Sequence, residues 1–275
     1  NIEVTRRKPA SSGGGRMRTS VSLLSFLIEG DESQNIRLLG LNAPEVRGEN
    51  RQEGLKSRDA LRSRIVGKWI ILETKKVDKD KLLNDIKNNN NSPLFIYASS
   101  SSVYGKNVKI PFNEKDDLDN IISPYALSKK MCEDMVSLYC KSGIRAIGLR
   151  FFTVYGPGCR PDMAVYNFLN NIYDGKSITM FGDGSMQRDF TYISDIIDGI
   201  ISCTKLELDK NEHRIYNLGN NKPIKLKQFI SLCENIVCRK ANIINKGVPE
   251  GDVPITYADI TKAIEDLNYN PHVKL

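Results

Sequence analysis

From Leu94 to the C-terminus, short apolar runs alternate with longer stretches whose apolar residues recur at helical spacing. A run such as Ile144 to Leu149 is apolar at nearly every position, so a strand built from it needs cover on both faces. A parallel sheet flanked by helices provides that cover. The pattern predicts strands at 94–98, 144–150, 177–181 and 214–218. It places helices at 124–142, 162–174, 193–207, 225–238 and 259–267. Ser123 is suited to cap the first of these helices, with Pro124 at its first position. The expected fold class is therefore α/β.

The first third of the chain has a different texture. Arg6-Arg7-Lys8-Pro9 runs into Ser11-Ser12-Gly13-Gly14-Gly15 with no recurring apolar residue, which predicts a disordered basic tail over 1–16. Strands are expected at 20–28, 35–41 and 69–76, with a helix at 51–66. A polar break, Lys87-Asn88-Asn89-Asn90-Asn91-Ser92-Pro93, then marks a boundary, with a linker over 88–93. Residues 1–92 hold 18 of the 40 Lys+Arg but only 12 of the 33 Asp+Glu. That asymmetry points either to a polyanion partner for this part alone or to a solvated basic face. Six cysteines without a CxxC pair read as reduced thiols in a cytoplasmic protein. Two distant histidines argue against a metal cluster, and no apolar run reaches the length of a membrane helix.

The chemistry-bearing residues follow the break. Tyr97-Ala98-Ser99-Ser100-Ser101-Ser102-Val103-Tyr104-Gly105 ends a predicted strand, and Ser123-Pro124-Tyr125-Ala126-Leu127-Ser128-Lys129 opens a helix. Tyr125 and Lys129 are four apart and share a helix face. A free phenol titrates near ~10, and an ammonium one turn away lowers that value towards what a base needs. The spacing alone is close to what chance gives for 11 Tyr and 24 Lys. The serines add specificity, because parallel sheets present ligand-facing residues at their carboxyl ends; a polar strand cap is their ordinary alternative use.

These residues resemble the extended short-chain dehydrogenase/reductases, specifically the nucleotide-sugar epimerases near the UDP-glucuronate 4-epimerases. Further matches are Leu149-Arg150-Phe151-Phe152-Thr153-Val154-Tyr155-Gly156-Pro157, Gly158-Cys159-Arg160-Pro161-Asp162-Met163-Ala164, Phe181-Gly182-Asp183-Gly184, Arg188-Asp189-Phe190-Thr191-Tyr192-Ile193 and Gly251-Asp252-Val253-Pro254. The resemblance covers 94–275. It implies the remaining half of a Rossmann-type dinucleotide-binding domain over 94–150, then a substrate-binding region over 151–275 interleaved with Rossmann elements. By resemblance Tyr125 is the catalytic acid/base, and Lys129 binds the ribose of NAD and tunes Tyr125. Ser100 bonds the reacting sugar hydroxyl, and Arg188 takes the substrate diphosphate. Arg160 and Asp252 lie in substrate-side motifs. A salt bridge to Asp189 or Asp183 is the alternative use of Arg188. The implied substrate is a UDP-sugar or related nucleotide sugar, and the assembly a homodimer. With no acidic residue at Ser101 or Ser102, epimerisation is favoured over dehydration.

Upstream, the family pattern stops. Gly13-Gly14-Gly15 follows no strand and precedes no helix, so it is not a phosphate-binding turn. The sheet is expected to begin at Leu94 with an uncovered edge, and NAD to be held poorly. Instead, residues 17–87 resemble the staphylococcal-nuclease family through Ile36-Arg37-Leu38-Leu39-Gly40-Leu41-Asn42-Ala43-Pro44-Glu45-Val46-Arg47-Gly48-Glu49 and Gly54-Leu55-Lys56-Ser57-Arg58-Asp59-Ala60-Leu61. That implies a partial OB-barrel fragment, with Arg37 and Glu45 as remnants of a phosphodiesterase site. Asn42 stands where the family has a calcium-binding aspartate, which weakens a hard-cation site. Weak nucleic-acid binding by residues 1–92 follows as the alternative function, and a non-functional fusion as a further one.

Overall fold

The computed structural model describes residues 25–27, 71–72, 83, 87–88 and 94–275, apart from 158, 160, 161, 250 and 251. The expected tail, the 35–41 strand, the 51–66 helix, Arg37 and Glu45 all lie outside the described residues.

Five strands form the main sheet: β1 (Ser25–Leu27), β2 (Ile71–Leu72), β3 (Leu94–Ser100), β4 (Arg145–Phe151) and β8 (His213–Leu218). Their order is β2-β1-β3-β4-β8. The three long strands run parallel, in the register Ser99↔Arg150 and Arg150↔Asn217. The expected uncovered edge at Leu94 is not found. β1 pairs antiparallel with β3, Ser25 opposite Tyr97 and Phe26 opposite Ile96, and β2 pairs with β1. An unpaired edge leaves a row of N–H and C=O groups without partners, and this short ribbon satisfies part of that row.

The chain then leaves the sheet and re-enters it elsewhere. β5 (Thr153–Tyr155) follows β4 after Phe152 and joins a second sheet in the order β11-β7-β5, with β9 also on β7. Its strands are β7 (Gln187–Tyr192), β9 (Pro223–Lys225) and β11 (Ile255–Thr256). β6 (Ser177–Phe181) and β10 (Asn242–Lys246) make a separate parallel pair. The helices are α1 (Pro124–Cys140), α2 (Ala164–Asp174), α3 (Ile193–Cys203), α4 (Leu226–Val237) and α5 (Thr261–Leu267). Each helix predicted after Leu94 is present, with ends shifted by a few residues, as fraying and cap geometry allow.

The two faces of the main sheet are buried separately. Phe95, Tyr97 and Ala146 pack with Val136 and Cys140 of α1. Ile96, Ile147 and Leu149 pack with Ile196 and Ile200 of α3 and Ala263 and Leu267 of α5. A third cluster joins Phe168 and Ile172 to Phe229 and Ile230, holding α2 against α4. Gly105 ends the 3-10 turn of Ser101–Tyr104 at φ 55°, and a Cβ there would lie 1.8 Å from the Asn120 carbonyl oxygen. Only glycine fits that bend.

Under α1, the Tyr97 hydroxyl lies 2.9 Å from His213 Nε2. Burial lowers the His213 imidazole to about 4, so the ring is neutral and shares a hydrogen bond with the phenol in a direction set by its tautomer. An unfolded histidine takes up its proton near ~6.5, so between there and about 4 the unfolded chain binds a proton that the folded chain does not. This contribution to stability is complete above that window and declines as pH falls through it. His213→Gln should therefore flatten the pH dependence of the urea midpoint between pH 6.5 and 4 relative to the unmodified chain. Parallel slopes would contradict the assignment.

Candidate functional site

α1 carries the central residues and is well founded locally. Ser123 is extended at the N-cap, its Oγ accepts the Ala126 N–H at 3.1 Å, and Pro124 occupies the first helical position. Tyr125, Lys129 and Glu133 then follow at intervals of four and share one face. Lys129 is 1% exposed, and its ammonium donates to the Ala98 carbonyl at 2.9 Å. It lies 5.8 Å from the centre of the Tyr125 ring. Placing an ammonium in so dry a setting costs free energy unless its donors are matched. Its position against the end of β3 is correspondingly well defined.

Ser100 ends β3, is buried, and caps the 3-10 turn, its Oγ accepting the Ser102 N–H at 3.2 Å. Ser100 is thus a strand-end cap, the ordinary use the sequence allowed, and it stands at the carboxyl edge of the sheet. Both α1 and the serine turn lie at the end of the parallel strands where such sheets bind ligands.

The second group lies on the other sheet. Arg188 on β7 pairs with Asp252 at 2.6 Å and also donates to the Gln187 carbonyl at 2.9 Å. Asp252 is thus the carboxylate partner, and the expected alternatives Asp189 and Asp183 are occupied elsewhere. Asp183 accepts from Ser185 in its own turn. Asp189 is fully buried and accepts the backbone N–H groups of Asn220 at 2.8 Å, Asn221 at 3.0 Å and Ala258 at 3.0 Å. Burial raises its carboxyl, while those three donors favour the charged form. Asp189 therefore ties the segments leading into β9 and out of β11 to β7, one residue from Arg188. Arg160 lies outside the described residues.

Sequence reading missed a buried polar network beneath α1. Glu133 binds Arg150 through two bonds, Nε to Oε1 at 2.9 Å and Nη2 to Oε2 at 2.8 Å. Ser99 Oγ also donates to Glu133 Oε1. Arg150 Nη1 donates to the Tyr104 hydroxyl at 3.0 Å, and that hydroxyl donates to Asn217 Oδ1 at 2.6 Å. Burial works against the Arg150 charge, but Glu133 outweighs it and holds the guanidinium above its ordinary value. Burial also raises the Tyr104 phenol. The available signal was Arg150 closing an apolar strand, together with a third residue at the Tyr125/Lys129 spacing. Among the described residues no group of His, Cys, Asp and Glu could hold a metal ion, and no helix is long and apolar enough to cross a membrane.

Residues 48–219 match the model of the NAD dependent epimerase/dehydratase family. The chain belongs to this family. The match begins inside the segment that resembles the nucleases, for which the comparisons give no support. An uncharacterised protein of Methanocaldococcus jannaschii is 50% identical over 181 residues, 66% of this chain and 55% of its own length. UDP-glucuronate 4-epimerase 5 of Arabidopsis thaliana is 42% identical over 213 residues, 70% of this chain and 48% of its own. Among solved structures, the UDP-glucuronic acid 4-epimerase of Bacillus cereus in complex with UDP-glucuronic acid and NAD is similar at TM-score 0.64 and 29% identity. That similarity covers 86% of this chain and 69% of that one. The chain thus spans about half the length of the curated family members it matches.

Asp189→Ala should lower stability by about 3 kcal/mol or more, since it strands three buried N–H groups at roughly 1 to 3 kcal/mol each. Chemical denaturation measures this; an unchanged midpoint would show that Asp189 does not hold the β9 and β11 segments.

Proposed function

We propose that this chain acts on the sugar of a UDP-sugar as an NAD-dependent epimerase, with UDP-glucuronate as the first substrate to test. The observation that carries the reading is the Lys129 ammonium, buried and bonded at the end of β3 one helical turn from Tyr125. In this reading Tyr125 Oη takes the proton of the sugar hydroxyl and later returns it. Lys129 favours the phenolate, and Ser100 Oγ orients the hydroxyl. Arg188 exchanges Asp252 for the diphosphate, where its planar fork meets two oxygens at once. Asp252, and Arg160 by its sequence motif, are assigned to the substrate side in this reading.

The donor set at the end of β3 fits the ribose next to the nicotinamide, with Tyr125 and Lys129 holding it. The chemistry NAD supplies when bound is reversible hydride acceptance. In the sequence Gly13-Gly14-Gly15 is not set between a strand and a helix, as a pyrophosphate-binding turn would be, so NAD affinity is expected to be weak. Ser101 and Ser102, in place of an acid beside Ser100, favour epimerisation over dehydration.

Calorimetry with UDP tests the substrate side without requiring turnover. Arg188→Ala should weaken UDP binding by roughly tenfold or more, the worth of a charge-assisted contact. Tyr125→Phe should leave UDP affinity within about twofold and, with NAD supplied, reduce turnover at least a hundredfold, as loss of general acid–base catalysis does. Full turnover by Tyr125→Phe would refute its role, and UDP binding indifferent to Arg188 would refute the diphosphate assignment.

A further inference from the structure

We propose that Glu133 is a positioning residue for the acid/base pair: through Ser99 and Arg150 it fixes α1 at the height over β3 at which Lys129 can tune Tyr125. The proposal rests on the reading of Tyr125 and Lys129 given above. Ser99, Arg150 and Asn217 are successive ladder partners across β3, β4 and β8. Ladder partners point to the same face, and all three side chains are almost fully buried. They form a polar row just inside the carboxyl edge of an otherwise apolar sheet. Glu133 projects from α1 onto this row.

Two anchors then hold α1 at adjacent turns. Lys129 reaches the Ala98 carbonyl, and Ser99, the next residue of β3, reaches Glu133. The two-pronged contact with Arg150 extends the second anchor to β4. Tyr104 and Asn217 extend it to the 3-10 turn and β8, where Asn217 Nδ2 donates to the carbonyls of Phe112 at 2.8 Å and Asp259 at 3.1 Å. The Arg150 guanidinium carbon also lies over the Tyr104 ring, 4.9 Å from its centre. With Glu133 held at both carboxylate oxygens, the helix has little freedom to slide or rotate along the strand. Tyr125 is two turns from that lock.

Stability alone is a poor explanation for this arrangement. A buried ion pair loses about as much hydration as it regains in attraction, and apolar side chains of similar size do as well or better. What a fixed, two-pronged contact provides in their place is register. The titratable groups that meet α1 from below are Tyr97 on β3, Tyr104 on the 3-10 turn, Arg150 on β4 and His213 on β8. Burial keeps both phenols protonated and the imidazole neutral. Arg150 is therefore the charged member of that set. Glu114 joins the network from the loop after Phe112, its carboxylate on the Asn217 N–H and its carbonyl on Arg150, so the charges of the network are Lys129, Glu133, Arg150 and Glu114.

The charge count makes the proposal testable by sign. Deleting the Glu133 negative charge without moving anything would lower the Tyr125 pKa, because a nearby anion disfavours a phenolate. Loss of register would raise it, because Lys129 would no longer be held one turn away. Ultraviolet phenol titration of the full chain, taken as a difference against Tyr125→Phe, isolates Tyr125 from the other tyrosines. The expected result is titration below the ordinary ~10 in the unmodified chain and a rise of roughly one unit or more in Glu133→Gln. The charge-balanced double variant Glu133→Leu/Arg150→Met should show the same rise while keeping a cooperative thermal transition.

A fall, or no change, in either folded variant overturns the proposal. If both variants fail to fold, Ser99→Ala keeps both charges and should still raise the value; no rise there overturns it equally. An unmodified chain in which Tyr125 titrates at the ordinary value would overturn the acid/base reading itself, and this proposal with it.

Discussion

A slip of β3 by one residue against β4 would turn Ser99 and Arg150 to opposite faces of the sheet, since side chains alternate with a period of two. The rest of the site depends on that register. In the observed pairing, Ser99 stands beside Arg150, and Arg150 beside Asn217. One face of the sheet then carries a polar row under α1, while Ile96, Ile147 and Leu149 fill the opposite face. The slipped arrangement would turn Ser99 away from Glu133 and leave that buried bond unmade, at roughly 1 to 3 kcal/mol. Through Ser99 the buried ion pair thus ties the register of β3 to the seat of α1 on β4.

The same register ends β3 and β4 together, where the chain switches sheets. Ser100 finishes β3 at the level of Phe151, and after Phe152 the backbone enters β5 and the second sheet. Arg188 is carried on β7, which pairs with β5 in parallel. The strands that carry Ser100 and Arg188, the residues proposed to meet the sugar hydroxyl and the diphosphate, therefore pair with one nearly continuous stretch of extended chain. Asp189 secures the second group as Glu133 secures the first: in each case a buried carboxylate is saturated with donors beside a residue proposed to touch substrate. The supports of the site are thus buried and fully bonded, while Tyr125 and Arg188 remain partly exposed.

Much of this was legible in the sequence. The apolar runs fixed β3, β4 and β8 within two residues, and Ser123-Pro124 announced the start of α1 through ordinary capping chemistry. Tyr125, Lys129 and Ser100 were legible by type and order. The short strands were not: β9 and β11 have three and two residues and owe their extension to pairing with β7 rather than to any pattern of their own. β7 itself, Gln-Arg-Asp-Phe-Thr-Tyr, carries polar residues at positions that tertiary partners satisfy. Glu133 and Arg150 went unread for a related reason. A charge on a buried helix face and another ending an apolar strand look like exceptions until the ladder brings them together. The antiparallel cover of β3 by β1 could not be foreseen either, because residues about 70 positions apart in sequence carry no local sign of pairing.

The central claim is that the groups acting on the sugar are assembled in this chain and work once the dinucleotide is present. Proton NMR of the full chain, incubated with the nucleotide sugar proposed above and a large excess of NAD, tests it most directly. Slow conversion to the epimer at the oxidised carbon is expected. A folded chain that binds the nucleotide sugar and leaves it unchanged at saturating NAD contradicts the claim.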